Sequence, residues 1–228
     1  HVVTRRQRQM CIRDRIMTVE MFCPRWYYHS TLSDEYQDQI KRLFESKVYD
    51  DSIYTESPWD CNCLTTFQSK TNMELAWNDW LECLRLSIDD ALDKLKPTVD
   101  VEVIPQDAWA NKYNKGHFQE YHTHEVPYCN LSMVYMYDIP DNDDVGFRFW
   151  YDDHSKYKKS GLAHIFDLPC SPVIIPKVKQ GDIMIFPSHY AHYVSPNKND
   201  KPRITFSGNL FVVPTKEESQ RDPTPTRP

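Results

Sequence analysis

The 228-residue sequence has few glycines and lacks several familiar catalytic motifs. None of its five glycines belongs to a glycine-rich phosphate-binding loop, and neither a Gly-x-Ser-x-Gly elbow nor a kinase signature occurs. No run approaches 18 apolar residues, so no helix is predicted to cross a membrane. These absences argue against nucleotide-dependent phosphoryl transfer, serine hydrolysis and a transmembrane role.

The first 16 residues differ from the rest of the chain. Residues 10–15, Met-Cys-Ile-Arg-Asp-Arg, correspond to the DNA sequence ATGTGTATAAGAGACAG, which resembles a common sequencing-adapter end. We therefore predict that residues 1–16 are an assembly artefact and that the natural chain starts at Met17. An arginine-rich transit peptide is the alternative. Because this segment holds five Arg and one Asp, the net charge of -6 becomes -10 without it. Such acidity disfavours sequence-independent nucleic-acid binding.

The seven cysteines do not have the spacing of a zinc finger. Cys61 and Cys63 are the only close pair, and no second pair completes a zinc-finger pattern. We predict reduced thiols in a cytoplasmic protein.

The chain is predicted to form one domain over residues 17–213, followed by a disordered tail at 214–228. Residues 30–97 carry two helical patterns, at 34–47 after the N-cap candidate Ser33 and at 73–96 before Pro97. Residues 99–213 contain short strand patterns instead, at 99–104, 108–113, 117–122, 130–137, 147–151, 173–175, 182–186, 192–195 and 203–213. The predicted fold class is mainly β (α+β), a sandwich or barrel with N-terminal helices packed on one side.

Three histidines form the most informative pattern. His122 and His124 point the same way if they lie on one strand, because side chains alternate along a strand. His192 follows a short apolar strand that begins after Gly181 and ends at Pro187. A lone His-x-His pair can simply face solvent, but the third histidine and a nearby arginine favour a metal site. Imidazole suits iron, and ligands on one side only would leave coordination positions open.

The last predicted strand begins at Arg203 and alternates in character. One face carries Arg203, Thr205, Ser207 and Asn209, and the other carries Ile204, Phe206 and Leu210. A guanidinium group can bind a carboxylate through two parallel, charge-assisted hydrogen bonds. The pattern therefore predicts an anion site beside the metal site, unless Arg203 forms an ordinary ion pair.

These motifs resemble the double-stranded β-helix of 2-oxoglutarate- and Fe(II)-dependent oxygenases. The resemblance rests on Gly116-x5-His122-x-His124, Gly181-x5-Pro187-x4-His192 and the segment 203–209. More narrowly, the chain is similar to oxygenases of this type found in phage and marine bacterial genomes. In that group a Trp-x-Asn like residues 109–111 precedes the His-x-His, and a strand like residues 131–137 follows it. The resemblance covers about residues 109–213.

The resemblance implies a jelly-roll (cupin-like) barrel and a hydroxylase-type oxidation of an unknown substrate. The oxidation would be coupled to decarboxylation of 2-oxoglutarate, with Fe(II) and 2-oxoglutarate as cofactors and O2 as a further reactant. If the protein is phage-encoded, it would act in the host cytoplasm. A barrel edge could pair between chains and form a homodimer. The residues implied are His122, His124 and His192 for iron and Arg203 for the distal carboxylate of 2-oxoglutarate. Thr205 shares the polar face of Arg203 and is a candidate second hydrogen-bond donor. Tyr113 and Asn130 are further cosubstrate candidates, with a structural role as the alternative for each.

The metal-ligand pattern departs from the usual one at a single position. The widespread oxygenase triad has two histidines and a carboxylate in the order His-x-Asp, whereas His124 occupies the carboxylate position here. Glu125 is adjacent, but on a regular strand it would point to the opposite face. A β-bulge could bring Glu125 to the metal instead of His124.

Two other functions fit parts of the pattern. A cupin-type three-histidine dioxygenase or isomerase without 2-oxoglutarate would show similar His-x-His and Gly-x5-Pro spacings, but it would leave Arg203 unexplained. The second alternative is a non-enzymatic β-barrel binding or virion protein, in which the histidines are incidental or hold structural zinc. Bound iron and bound 2-oxoglutarate would separate these possibilities.

Overall fold

The computed structural model describes residues 25–57, 61–140, 145–151, 159–161 and 172–215. The predictions for residues 1–16 and for nearly all of the tail fall outside these ranges. Within the described ranges, no helix is both long enough and apolar enough to span a bilayer.

Two helices form where the apolar spacing predicts them. Helix α1 covers Asp34–Val48, and the Ser33 side chain caps it by accepting a hydrogen bond from the backbone N–H of Tyr36. Helix α2 covers Trp77–Leu95. It ends where Lys96 adopts a left-handed conformation ahead of Pro97. Short 3-10 turns occupy Asp51–Ile53 and Lys70–Glu74.

The second helix starts four residues later than predicted. Met73 belongs to the preceding 3-10 turn and is 92% exposed. The carbonyl of Asn72 accepts hydrogen bonds from the backbone of Leu75 and from the indole of Trp77, at 3.3 and 3.0 Å. Because these hydrogen bonds hold residues 70–74 in the 3-10 turn, the helix begins only at Trp77.

The strands lie in two antiparallel sheets. They are β1 (Tyr28–Thr31), β2 (Thr55–Glu56), β3 (Leu64–Thr65), β4 (Val101–Tyr113), β5 (Gln119–His122), β6 (Leu131–Asp138), β7 (Phe147–Trp150), β8 (Val173–Ile174), β9 (Asp182–Pro187), β10 (His192–Val194) and β11 (Arg203–Pro214). The large sheet has the order β1-β9-β6-β11-β4-β3-β2, and the small sheet has the order β5-β10-β7-β8.

Two strands predicted on either side of Pro105 form the single strand β4. The register between β4 and β11 shifts at Asn209, so β4 continues past the proline with a bulge. Among the described strands, only β11 pairs with this half of β4, since β3 pairs at residues 111 and 112 alone. A strand paired on one side tolerates the missing N–H of proline.

The large sheet has a separate apolar core on each face. Met133, Tyr135, Ile204 and Phe206 belong to a core shared with both helices. Val134 and Met136 belong to a second core shared with the small sheet. Because neighbouring strand residues point to opposite faces, the helices cover one face of the large sheet and the small sheet covers the other.

The mainly antiparallel β architecture with helices on one side is therefore confirmed. The closed barrel is not: among the described strands, the two sheets share no hydrogen-bonded pair of strands. The small-sheet strands have only two to four residues.

Candidate metal centre

Two of the histidines meet through the pairing of β5 with β10. His122 ends β5, His192 begins β10, and the two residues are direct partners in the antiparallel register. Their ring centroids lie 4.2 Å apart. The small sheet therefore brings together two residues that are far apart in the sequence.

His124 reaches the same place from a loop. The two residues of the His-x-His pair do not share a strand, because β5 ends at His122, where the predicted strand at 117–122 also ends. The chain leaves the small sheet there, and the backbone N–H of His124 donates to the carbonyl of Ser188 after β9, at 2.9 Å. The rings of His122 and His124 still stack, with centroids 5.2 Å apart.

The three imidazoles have the spacing of a metal site. One potential ligand atom from each of His122, His124 and His192 lies within 4.8 Å of the other two. Nitrogen donors of this kind suit a transition-metal ion such as Fe(II), whereas Mg²⁺ and Ca²⁺ prefer oxygen ligands. The donor set therefore fits the metal implied by the sequence.

The Nδ1 atoms of two rings are held by backbone carbonyls. Nδ1 of His122 lies 2.9 Å from the carbonyl oxygen of Glu120, and Nδ1 of His192 lies 2.8 Å from that of Tyr190. Since a carbonyl oxygen can only accept, each Nδ1 carries the proton and each Nε2 keeps its lone pair. This tautomer is the one needed for metal binding through Nε2.

The third ring is held by side chains of the large sheet. Nδ1 of His124 lies 2.8 Å from Oδ1 of Asn209 and 3.1 Å from Oγ of Ser132. The Ser132 hydroxyl also donates to the same Asn209 oxygen, at 3.1 Å. Asn209 and Ser132 are register partners on the adjacent strands β11 and β6.

Burial keeps two of the imidazoles in the neutral form that binds metal. It lowers the pKa of His192 well below its ordinary value, and the nearby rings of His122 and His124 add to the effect. Burial also lowers the pKa of His124, although the hydrogen bond to Asn209 opposes that shift.

Aromatic side chains enclose the histidine cluster. Phe147 stacks on His192 with centroids 5.1 Å apart, and Phe186 approaches the same ring edge-on at the same distance. Trp109 lies 5.8 Å from the ring of His124. These contacts restrict the orientations available to the two imidazoles.

A cavity extends from the histidines between the two sheets. Its polar lining comes from Asn111, Tyr113, Gln119, Ser132, Thr205 and Ser207, and its apolar lining includes Met136, Val145, Phe147, Phe186 and Val194. The cavity has a volume of about 20 Å³, which is enough for roughly one water molecule.

Arg203 is buried next to the cavity but does not line it. Its Nη1 donates to the carbonyl of Ser195 at 3.3 Å, and its Cζ lies 5.8 Å from the ring centroid of Tyr113. A Cβ atom at Gly146 would lie 1.9 Å from Nη1. The guanidinium therefore fits only because residue 146 has no side chain.

The other predicted cosubstrate residues have different positions. Thr205 and Tyr113 line the cavity, and the Tyr113 hydroxyl donates to Oε1 of Gln119 at 2.8 Å. Asn130 lies outside the lining, where its amide donates to the carbonyl of Val212 and accepts from the N–H of Val212. The structure thus brings two of the three residues to the cavity.

Glu125 lies away from the histidine cluster. It is exposed, and its Oε2 accepts a hydrogen bond from the Thr123 hydroxyl at 3.3 Å. Within the described part of the chain, the only group of three or more metal-binding side chains consists of the three histidines, without a carboxylate.

The residues that orient His124 were not predicted from the sequence. The alternation on the last strand placed Asn209 on the polar face, which was the available signal. Its partner could not be identified, because the contact depends on the path of the loop after β5. Ser132 and Gln119 gave no signal beyond their positions in predicted strands.

One protein family matches the segment that contains this site. Residues 107–209 match the family described as "Putative 2OG-Fe(II) oxygenase". The matched segment includes all three histidines and Arg203. No curated protein sequence matches the chain.

Several solved structures share the fold. A prolyl-4-hydroxylase from Pseudomonas putida has a TM-score of 0.51 and 14% identity, covering 82% of this chain and 92% of that one. AviO1 from Streptomyces viridochromogenes Tue57 has a TM-score of 0.54 and 14% identity, with coverages of 90% and 93%. A prolyl hydroxylase from Trichoplax adhaerens, in complex with a hypoxia inducible factor peptide fragment, has a TM-score of 0.53 and 11% identity, with coverages of 88% and 87%.

At these identities the structural likeness concerns the fold, which is the predicted double-stranded β-helix type. The family match supports a 2-oxoglutarate-dependent oxygenase and indicates Fe(II) and 2-oxoglutarate as its cofactors. Among the described residues, His122, His124 and His192 form a group that could hold such a metal ion.

Proposed function

We propose that this protein is a 2-oxoglutarate- and Fe(II)-dependent dioxygenase that hydroxylates its substrate while 2-oxoglutarate is decarboxylated to succinate and CO2. The observation that carries the proposal is the convergence of three imidazoles, two of them with Nε2 fixed as the free nitrogen, inside the segment that matches the oxygenase family. We assign this activity to residues 17–213 as one domain of a cytoplasmic protein.

His122, His124 and His192 are the proposed iron ligands. Bound Fe(II), together with 2-oxoglutarate and O2, supplies the oxidising chemistry. Three neutral ligands leave the full 2+ charge of the metal in place, which favours a dianionic cosubstrate. The small sheet orients His122 and His192, and the large sheet orients His124.

Arg203 is the proposed partner of the distal carboxylate of 2-oxoglutarate. A buried guanidinium gives a bidentate, charge-assisted contact that a lysine could not reproduce. Thr205 is two residues along β11 and lines the cavity, so its hydroxyl is a second donor. Burial raises the pKa of Tyr113 well above its ordinary value. Its hydroxyl therefore keeps its proton and can donate to a carboxylate in place of Gln119.

The apolar lining has its own role in this scheme. Phe147, Phe186 and Val194 occupy the space around His192 and leave little room for water. Excluding water strengthens the electrostatic contacts between the cosubstrate and its donors. It also protects reactive species from side reactions.

Calorimetry with Mn(II), which replaces Fe(II) without reacting with O2, tests the proposal. We expect 2-oxoglutarate to bind the Mn(II)-loaded protein, and to bind neither the metal-free protein nor the His122→Ala variant. Metal binding without 2-oxoglutarate binding would favour the cupin-type three-histidine enzyme. Binding of neither would favour the non-enzymatic β-barrel protein.

A further inference from the structure

The three histidines differ in what holds them. His122 and His192 belong to hydrogen-bonded strands, and backbone carbonyls hold their Nδ1 atoms. His124 lies in a loop, and its ring contacts two polar side chains instead. A substitution can remove a side-chain partner, whereas it leaves a carbonyl in place. The orientation of His124 is thus the one that depends on particular side chains.

Asn209 is the centre of this contact. It is 6% exposed and Ser132 is 1% exposed, so water does not compete for their hydrogen bonds. Oδ1 of Asn209 accepts from Nδ1 of His124 and from the Ser132 hydroxyl, at 2.8 and 3.1 Å, which uses both of its lone pairs. The hydroxyl proton of Ser132 is directed to Asn209, so the proton between Asn209 and His124 belongs to Nδ1.

This arrangement fixes which nitrogen of His124 faces the other two histidines. With the proton on Nδ1, Nε2 carries the lone pair that a metal requires. Partners of this kind, one step removed from the metal, orient a ligand ring and typically contribute 10–100-fold to metal affinity. Asn209 is also rigidly placed, since β4 and β6 both pair with β11 at this residue.

We propose that Asn209 is the positioning residue of the third metal ligand, fixing the tautomer and the ring orientation of His124 through Oδ1. This inference rests on the proposed metal site. It assigns to a neutral side chain of the large sheet a role that backbone carbonyls fill for the other two histidines.

Two variants of similar size separate an acceptor from mere packing. Asn209→Asp keeps an oxygen at the Oδ1 position, whereas Asn209→Leu keeps the volume and removes the acceptor. Asn130→Leu is the matched control, because Asn130 also binds the backbone of β11 but touches no histidine. Co(II) is the probe, since its visible spectrum reports its coordination and a competing chelator gives its dissociation constant.

We expect Asn209→Leu to bind Co(II) about 10–100-fold more weakly than the unsubstituted protein, with an altered visible spectrum. Asn209→Asp should bind at least as tightly as the unsubstituted protein, and Asn130→Leu should be unchanged. Equal affinity and an unchanged spectrum in Asn209→Leu would overturn the inference, as would an equal loss in Asn209→Asp.

Two controls keep these outcomes interpretable. Thermal unfolding of each metal-free variant shows whether it is folded. If Asn209→Leu does not fold, Asn209→Ala replaces it, since alanine also removes the acceptor, and the same loss of Co(II) affinity is expected relative to Asn130→Leu. If the unsubstituted protein binds no Co(II), the proposed metal site, and with it the proposed function, is wrong. If it binds Co(II) and Asn209→Leu binds it equally well, only the role of Asn209 is lost.

Discussion

The two faces of the large sheet use the same strand for different purposes. On the helix side, Phe206 lies 4.7 Å from Phe44 and 4.5 Å from Tyr137 between ring centroids. On the opposite side, Thr205 and Ser207 line the cavity. Burial of apolar rings stabilises the folded protein, whereas burial of polar groups destabilises it unless they are hydrogen-bonded. Alternate residues of β11 thus divide between maintaining the fold and building the site.

This division predicts that stability and ligand binding can be changed separately. Substitutions on the helix side should lower the free energy of unfolding without altering the affinity of the folded protein for metal. Substitutions on the cavity side should alter the affinity for metal or cosubstrate with little change in the free energy of unfolding.

The largest effect is expected on the helix side. Phe206→Ala should lower the free energy of unfolding by about 3–5 kcal/mol, because it empties a fully buried aromatic site. Urea unfolding of the metal-free protein measures this loss. Phe211→Ala, on the same strand but against the exposed Tyr128, should cost much less. A change of more than about tenfold in the Co(II) affinity of folded Phe206→Ala would show that the two faces are not separable.

On the cavity side, removal of a ligand should have the largest effect on binding. His122→Ala should weaken Co(II) binding by at least about 100-fold, since even residues that only orient a ligand contribute 10–100-fold. The ring of His122 is partly exposed, so the stability of the metal-free protein should change little. His189→Ala is the control, because His189 is exposed and outside the cluster. Unchanged Co(II) affinity in His122→Ala would remove His122 from the metal site.

Arg203→Lys should weaken the binding of 2-oxoglutarate without changing the binding of metal. Lysine keeps the charge but loses the planar fork, so 2-oxoglutarate should bind the Mn(II)-loaded protein about 10–100-fold more weakly. The Mn(II) affinity itself should not change. Calorimetry gives both values, with Lys201→Ala as the control because Lys201 pairs with Asp138 at the sheet end. If 2-oxoglutarate binds Arg203→Lys normally, the anion site must lie elsewhere.

The smallest effect concerns the space beside Arg203. Gly146 and Gly116 both have a positive φ, of 73° and 82°, so alanine is strained at either position. Only at Gly146 would the new methyl group meet the guanidinium. Gly116→Ala should cost about 1 kcal/mol from backbone strain, and Gly146→Ala should cost roughly 1 kcal/mol more from the clash. Equal unfolding free energies for the two variants would show that Arg203 can move without cost.

Local patterns predicted those features that depend on near neighbours in the chain. Ser33 caps α1, Pro97 follows the end of α2, and the two faces of β11 separate as their alternation indicated. These features follow from side-chain periodicity and from capping chemistry, both of which can be read within a few residues.

Features that depend on distant strands were harder to predict. The loop position of His124 follows from its backbone hydrogen bond to Ser188, which lies 64 positions further along the chain. The amide of Asn130 is occupied by Val212 for a similar reason, because β11 returns beside it. Neither contact leaves a periodic signal in the sequence, so both required the pairing of the strands to be known.

The most direct test of the oxygenase account is an anaerobic titration of the Fe(II)-loaded protein with 2-oxoglutarate, followed by visible absorption. Chelation of the iron by 2-oxoglutarate should produce a weak charge-transfer band. The account predicts this band in the unsubstituted protein, with its loss in His124→Ala and a need for much higher 2-oxoglutarate concentrations in Arg203→Ala. Stoichiometric iron binding with no band at any concentration of 2-oxoglutarate would contradict the account and favour a three-histidine enzyme that uses no cosubstrate.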